Sequence, residues 1–345
     1  MPDSVTHYCF GREVMEKLPR EIRERISLPV FDRAVQGPDP WSTIGFYGGK
    51  MKQYACRSGI AHKEKTGEYL RVLTEETRKA PCAELFSLLA GSVCHYCLDR
   101  RAHPYIICKG GDYDGTAETY RFRGGHVRLE RAIDSLMIRR HFGKKPWRFS
   151  IPRQTMALKQ YPEKLRESVD RIFYSVYGWE NGFDLMNRAL RDERRFYGLM
   201  QDPFGLIHYL LRLVSGGKTN YCMYSYYRRD ADGEEIDYLN EKHHPWHHPA
   251  QPNIVSTESF FGLYNQALLE AQNMILGAYN AVYKAGETDL QSLYGESSYS
   301  TGLDWNDPGN QNKMHYEPLM FSGKYFNHEK GTRSGLGGEN ETGTI

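Results

Sequence analysis

Residues 82–103 are apolar nearly all the way round a helix: Leu85, Phe86, Leu88, Leu89, Val93 and Leu98 leave no polar face. A helix of that kind belongs inside a protein, packed on every side. The same segment nevertheless carries His95, Asp99 and His103, spaced four residues apart. The next helical pattern carries His126 and Glu130 at the same spacing. An unpaired carboxylate in an apolar interior costs several kcal/mol, so something must compensate Asp99. A metal ion does so directly, and histidine and carboxylate are ligand types that zinc takes.

Helix geometry divides these five residues. Positions four apart share a face and lie about 6 Å apart along the axis, which lets His95 and Asp99 share one ion. His95 and His103 are separated by about 12 Å, a difficult reach for one ion. The spacing therefore predicts at least two ions with Asp99 between them. His126 and Glu130 fall on the stripe continued by Ile133 and Met137, which faces the core and lets both meet His103. Two other readings compete. The histidines and aspartate could be hydrogen-bonded core residues, or Cys94-x2-Cys97 with His103 and Cys108 could form a structural zinc site. Cys94 and Cys97 lie in a helix body, which suits small core residues better than a zinc knuckle.

The rest of the chain is patterned for helices. They are predicted over 6–27, with Ser4 or Thr6 as cap, and over 82–103, opening after Pro81 and stopping at Pro104. Others run from Gly124-Gly125 to near Gly143, over 162–176, 180–198 and 203–215, and from Ser259 to Ala285. Strand signals are confined to 218–239, where alternating tyrosines and Asp232-Gly233 predict one hairpin. The predicted fold class is all-α, a multi-helical bundle with a metal cluster between its helices. Residues 1–290 are read as one domain, with metal ligands within 1–135 and helical completion over 150–290. Residues 291–345 read as a Gly/Asn/Tyr-rich extension whose last stretch, 331–345, is disordered.

A net charge of +2 gives no electrostatic reason to expect a polyanion partner. Seven scattered cysteines do not suggest a disulfide framework. The start, MPDSVTHY, lacks the basic and apolar regions of a secretory signal, and Phe204 to Val214 is too short to span a bilayer. A cytoplasmic protein without a transmembrane segment is expected.

The His-x3-Asp-x3-His helix followed by His-x3-Glu resembles the zinc-dependent phospholipase C family, which is related to the single-strand-specific zinc nucleases. The resemblance implies an all-α fold around a cluster of two or three Zn2+ ions. It implies that His7 is the early histidine of the pattern, that Asp39 in Gln36-Gly37-Pro38-Asp39-Pro40-Trp41 is the early aspartate, and that His62 is the second histidine. One zinc would take Asp39, His62, His95 and Asp99, and a second His103, His126 and Glu130. A third would take His7, Asp99 as a bridge, and the amino terminus, at Pro2 if Met1 is removed; with Met1 retained, Asp3 is the substitute. Choline-selective members place an aromatic residue directly after the aspartate, whereas here Pro40 and then Trp41 follow, so a preference for phosphatidylcholine is not implied.

The activity implied is that of a zinc-dependent phosphoric-ester hydrolase of phospholipase C type, with Asp39 orienting or deprotonating the attacking water. A nuclease or nucleotidase on the same cluster is the alternative within the class. A non-catalytic metal-binding or interaction protein is the alternative outside it. The expected partner is a phosphoester small molecule or a phospholipid headgroup, with transient contact to a membrane surface; long nucleic acid is disfavoured by the weak charge. Trp41, Phe46 and Tyr47 are candidates to wall the cleft, with core packing the equal alternative. Arg139, Arg140, Lys144, Lys145 and Arg148 read as a solvated helix end, with guidance of an anionic headgroup the alternative; Asp134, one turn beyond Glu130, reads as a surface or salt-bridging residue, with support of the ligands the alternative; and His243 to His248 read as a binding or packing loop outside the site.

Overall fold

In the computed structural model, which describes residues 3–113, 116–122, 124–214, 236–311 and 314–319, the chain begins with α1 (Ser4–Lys17). Its cap is Asp3, whose carboxylate accepts from the Ser4 amide at 2.7 Å, rather than Ser4 or Thr6. The single helix expected over 6–27 is broken. Pro19 holds Leu18 in extended backbone (ψ 148°), and α2 (Arg20–Arg23) starts afresh beyond it. Then come α3 (Leu28–Ala34), α4 (Pro40–Thr43), α5 (Cys56–Lys63) and α6 (Thr66–Lys79).

The long apolar segment forms α7 (Ala83–Gly110), buried over most of its length. It does not stop at Pro104 as expected but runs six residues further. Pro104 has no N–H for the Arg100 carbonyl, a loss that normally kinks or ends a helix. Here Tyr105 and Ile106 are fully buried in the core, and their burial carries the helix through. Gly302 fits against the same carbonyl, where a Cβ would come within 2.3 Å of the Arg100 oxygen.

Beyond α7 lie α8 (Gly125–Phe142), α9 (Ile151–Gln154), α10 (Arg166–Tyr177), α11 (Gly182–Met200) and α12 (Leu206–Val214). The last helices are α13 (Phe260–Tyr283) and α14 (Leu290–Tyr294). Among the described residues the strands are two-residue pieces, β1 (Trp246–His247) and β2 (Val255–Ser256), paired antiparallel. The fold is all-α, as expected. The hairpin expected over 218–239 lies outside the described residues except at 236–239, which form no strand, and the 331–345 tail lies outside them entirely.

Helices α1, α3, α6, α8 and α13 pack around α7, and the main core forms between them. Two glycines let neighbours come close: a Cβ on Gly91 would meet Ala34 Cβ of α3 at 2.4 Å, and one on Gly110 would meet His126 Cα of α8 at 2.9 Å. The cysteines of the described residues are free; Cys94 and Cys97 are buried core residues, with Cys97 against Met274 of α13. Among the described residues, no helix is long and apolar enough to cross a membrane.

Candidate metal centre

Helix α1 brings His7 to α7, and α8 fixes where α1 starts. Asp134 of α8 accepts from the Val5 amide (3.0 Å), the Thr6 amide (2.8 Å) and the Thr6 hydroxyl (2.6 Å). Asp134 is therefore not the surface residue expected: it is 2% exposed and clamps the helix end one residue from His7. Asp3 does not join the histidines. Its carboxylate faces Arg131 Nε at 2.5 Å and accepts from the Tyr197 hydroxyl.

The histidines of α5 and α7 are oriented by backbone carbonyls. His62 Nδ1 lies 2.6 Å from the Ser58 carbonyl, His95 Nδ1 3.1 Å from that of Val35, and His103 Nδ1 3.0 Å from that of Tyr299. A carbonyl can only accept, so each Nδ1 carries the proton and, in the neutral ring, each Nε2 presents a lone pair. Gly37 supplies the close backbone approach to His95: its φ is +50° and a Cβ there would come within 2.4 Å of the ring. Tyr299 also stacks edge-on against His62 and His95, with centroids 5.5 and 5.3 Å away.

The Nε2 atoms face carboxylates and one another. His62 Nε2 is 3.1 Å from Asp39 Oδ1, and His95 Nε2 is 3.1 Å from Asp99 Oδ2. His7 Nε2 is 3.2 Å from Asp99 Oδ1, and His103 Nε2 is 3.3 Å from His126 Nε2. His126 Nε2 in turn lies 2.6 Å from Glu130 Oε1. Protonated imidazoles would resolve the conflict, yet burial lowers His7 to about 4, assisted by His95, and likewise lowers His62 to about 4. Among the described residues, both nitrogens of His7, Nε2 of His95 and both oxygens of Asp99 are buried without a hydrogen bond. At His62 and His95, where the backbone holds the proton on Nδ1, a buried lone pair facing a carboxylate calls for a cation, and the donor set of imidazole and carboxylate suits zinc.

The close contacts form three groups whose ligand atoms lie within 4.8 Å of one another: His7, His95 and Asp99; Asp39, His62 and His95; and His103, His126 and Glu130. Asp99 Oδ2 also reaches His62 Nε2 at 3.9 Å and His103 Nδ1 at 3.8 Å, so it lies between the groups. The amino terminus, the further partner implied for His7, lies outside the described residues. Burial raises Asp39 well above the ordinary carboxylate range despite His95 nearby. Burial pushes Asp99 the same way, but His95 and His7 outweigh it and hold it well below that range. Glu130 is likewise brought down against burial, chiefly by His126.

Beside the cluster is a cavity of about 20 Å³, room for little more than a water, lined by Gly37, Trp41, Ala61, Tyr69, Tyr177 and Tyr299 among others. Of the three aromatic residues expected at a cleft, only Trp41 lines it. Phe46 packs on Phe196, and Tyr47 is exposed and donates to Asp192 Oδ1 at 2.8 Å. The basic residue Arg139 is roughly 14 Å beyond Glu130 along α8. In the histidine-rich loop, His243 and His248 bond the carbonyls of Thr257 and Thr301, and His247 pairs with Glu317.

Sequence reasoning missed Tyr299 and ranked a supporting role for Asp134 below a surface one. Tyr299 lies in a segment without helical or motif signal, and Asp134 resembles any other acidic residue on a helix. The family model described as zinc dependent phospholipase C matches residues 6–193. No curated protein and no solved structure matches the chain.

Proposed function

Because the chain belongs to the zinc-dependent phospholipase C family, we propose that it is a zinc-dependent phosphoric-ester hydrolase of phospholipase C type. The ligands are His7, Asp39, His62, His95, Asp99, His103, His126 and Glu130. The observation that carries this reading is the pair of buried imidazole Nε2 atoms, of His62 and His95, aimed at the carboxylates of Asp39 and Asp99 while their Nδ1 atoms are held by backbone carbonyls. Bound at these groups, zinc ions would activate a water and polarise a phosphoryl oxygen.

The protein's own residues supply the rest. The carbonyls of Ser58, Val35 and Tyr299 hold three imidazoles in one tautomer and one orientation, so their geometry is set before substrate arrives. Asp99 has no solvent contact and serves to hold ions together, whereas Asp39 and Glu130 retain some exposure. Asp39, on the turn entering α4 beside the cavity, is placed to accept a hydrogen bond from a water and to take its proton as that water attacks phosphorus. The substrate class is a phosphodiester of phospholipid type.

The test is a zinc assay on the purified protein combined with turnover of phospholipid vesicles, short single-stranded DNA and phosphomonoesters. Bound zinc with release of a phosphorylated headgroup is the expected result. Hydrolysis of DNA or monoesters alone would move the assignment to a nuclease or nucleotidase, and bound zinc without turnover to a non-catalytic metal protein. The variant Asp99→Ala is expected to lose bound zinc and to lower turnover by at least ~100-fold. Full metal content and activity in that variant would sink the proposed cluster.

A further inference from the structure

Arg57 lies on α5, 9% exposed, with its guanidinium inside a ring of aromatic side chains. Its central carbon is 4.5 Å from the Trp179 ring centroid, 4.9 Å from that of Tyr54 and 5.2 Å from that of Trp41. Among the described residues it has no hydrogen bond and no ion pair; its Nη1 is buried without an acceptor, whereas Nε and Nη2 are not sealed from solvent. Other buried arginines differ: Arg33 meets Glu193 at 2.7 Å and Arg131 meets Asp3 at 2.5 Å. Ring faces offset part of the cost of burying the charge, but they do not supply the in-plane acceptor that the Nη1 N–H bonds lack. What complements that fork is an oxyanion taken edge-on, a phosphate or a carboxylate.

Its position gives this donor a use. Ala61, one turn beyond Arg57 on the same face of α5, lines the cavity beside the cluster, and His62 follows it. Along the helix axis Arg57 and His62 are about 7.5 Å apart. Trp41 is shared, lining the cavity and stacking on the guanidinium, while Gly37 and Tyr299 in the same cavity wall touch His95. We propose that Arg57 is an anion anchor that binds a second oxyanion of the substrate, phosphate or carboxylate, while the scissile phosphate sits at the histidine–aspartate cluster. The substrate part of this proposal rests on the hydrolase reading above.

Trp41 and Trp179 flank the guanidinium, so tryptophan emission reports its occupancy. The full-length chain, stripped of metal, is titrated with inorganic phosphate. A saturable change is expected in the wild type, weakened in Arg57→Lys, which keeps the charge without the fork, and absent in Arg57→Gln. No saturable change in the wild type, or an equal change in Arg57→Gln, overturns the anchor. If circular dichroism shows that Arg57→Gln does not fold, the wild type and Arg57→Lys decide: equal affinity for phosphate in those two overturns it. In a second arm, the zinc-loaded proteins hydrolyse vesicles of phosphatidylserine, whose headgroup carries an extra carboxylate, or of phosphatidylethanolamine. The ratio of kcat/KM for the first over the second is expected to fall about tenfold in Arg57→Lys or Arg57→Gln. An unchanged ratio overturns the headgroup as the source of the oxyanion. Wild-type protein that hydrolyses neither lipid counts against the hydrolase reading, while the phosphate titration still judges the anchor.

Discussion

At the scale of single residues, the centre depends on groups that never touch the proposed ions. The carbonyls of Ser58, Val35 and Tyr299 decide which nitrogen of His62, His95 and His103 is a lone pair. Asp134 decides where α1 begins and therefore where His7 points. Replacing Asp134 with Ala leaves two amides and a hydroxyl at the start of α1 without their acceptor. The expected cost is about 2 kcal/mol in urea unfolding. A roughly 10-fold or greater loss of zinc affinity should accompany it in competition titrations, because the clamp next to His7 is gone. Stability lost with zinc affinity intact would show that Asp134 supports the fold and not the metal centre. The two roles just described differ in how readable they are. The spacing of His95, Asp99 and His103 marks a shared helix face, whereas nothing local marks Tyr299 or Asp134, since both act on residues far away in sequence.

At the scale of elements, α7 organises the molecule, and its course shows why helix ends were less legible than helices. Pro19 ended α1 in the usual way, by excluding helical backbone at the residue before it. Pro104 did not end α7, because buried side chains on both sides outweigh one missing hydrogen bond and Gly302 fits against the freed carbonyl. Sequence alone cannot distinguish these two prolines, since the difference is what packs around them. The contact of α3 with α7 is equally specific: Gly91 admits Ala34 so closely that no larger residue fits without moving a helix. Gly91→Val is therefore expected to destabilise the protein by about 3 kcal/mol, read as a fall in melting temperature. It should also weaken zinc binding, because His95 lies one turn along α7 and bonds the Val35 carbonyl just after α3. An unchanged melting temperature would mean that α3 and α7 do not meet at Gly91.

At the scale of the whole molecule, the candidate ligands come from α1, α5, α7, α8 and the turn before α4, so metal binding and folding are linked. With zinc at a hundredfold excess over its dissociation constant, each independent site would add about 2.7 kcal/mol. Chelation is expected to lower the melting temperature without abolishing the fold, because the apolar core extends well beyond the centre. The chelated protein should also be sensitive to acid. Burial lowers His7 and His62 to about 4, below the ordinary value of 6.5. Between those values the unfolded chain takes up protons on these two histidines that the folded chain refuses, so their contribution to stability falls as pH drops from about 6.5 towards 4, while Asp134, which burial raises to about 7, acts in the opposite direction. Thermal melts in chelator at pH 7.5 and pH 5, compared between the wild type and His62→Gln, check this; an equal pH dependence in the two would contradict a buried, neutral His62. The sequence by itself determined what is periodic: the all-α class, the burial of the segment around His95, and the helix-spaced pairs His95–Asp99 and His126–Glu130. Tertiary structure decided what is not: that His7, Asp39 and His62 close on Asp99 and His95, that His103 turns to His126, and that Arg57 stands in an aromatic cage with no acceptor for its Nη1 among the described residues. The reason is physical. A helical repeat is set by backbone geometry over a few residues, whereas convergence of distant side chains depends on how whole helices pack and where the chain turns between them.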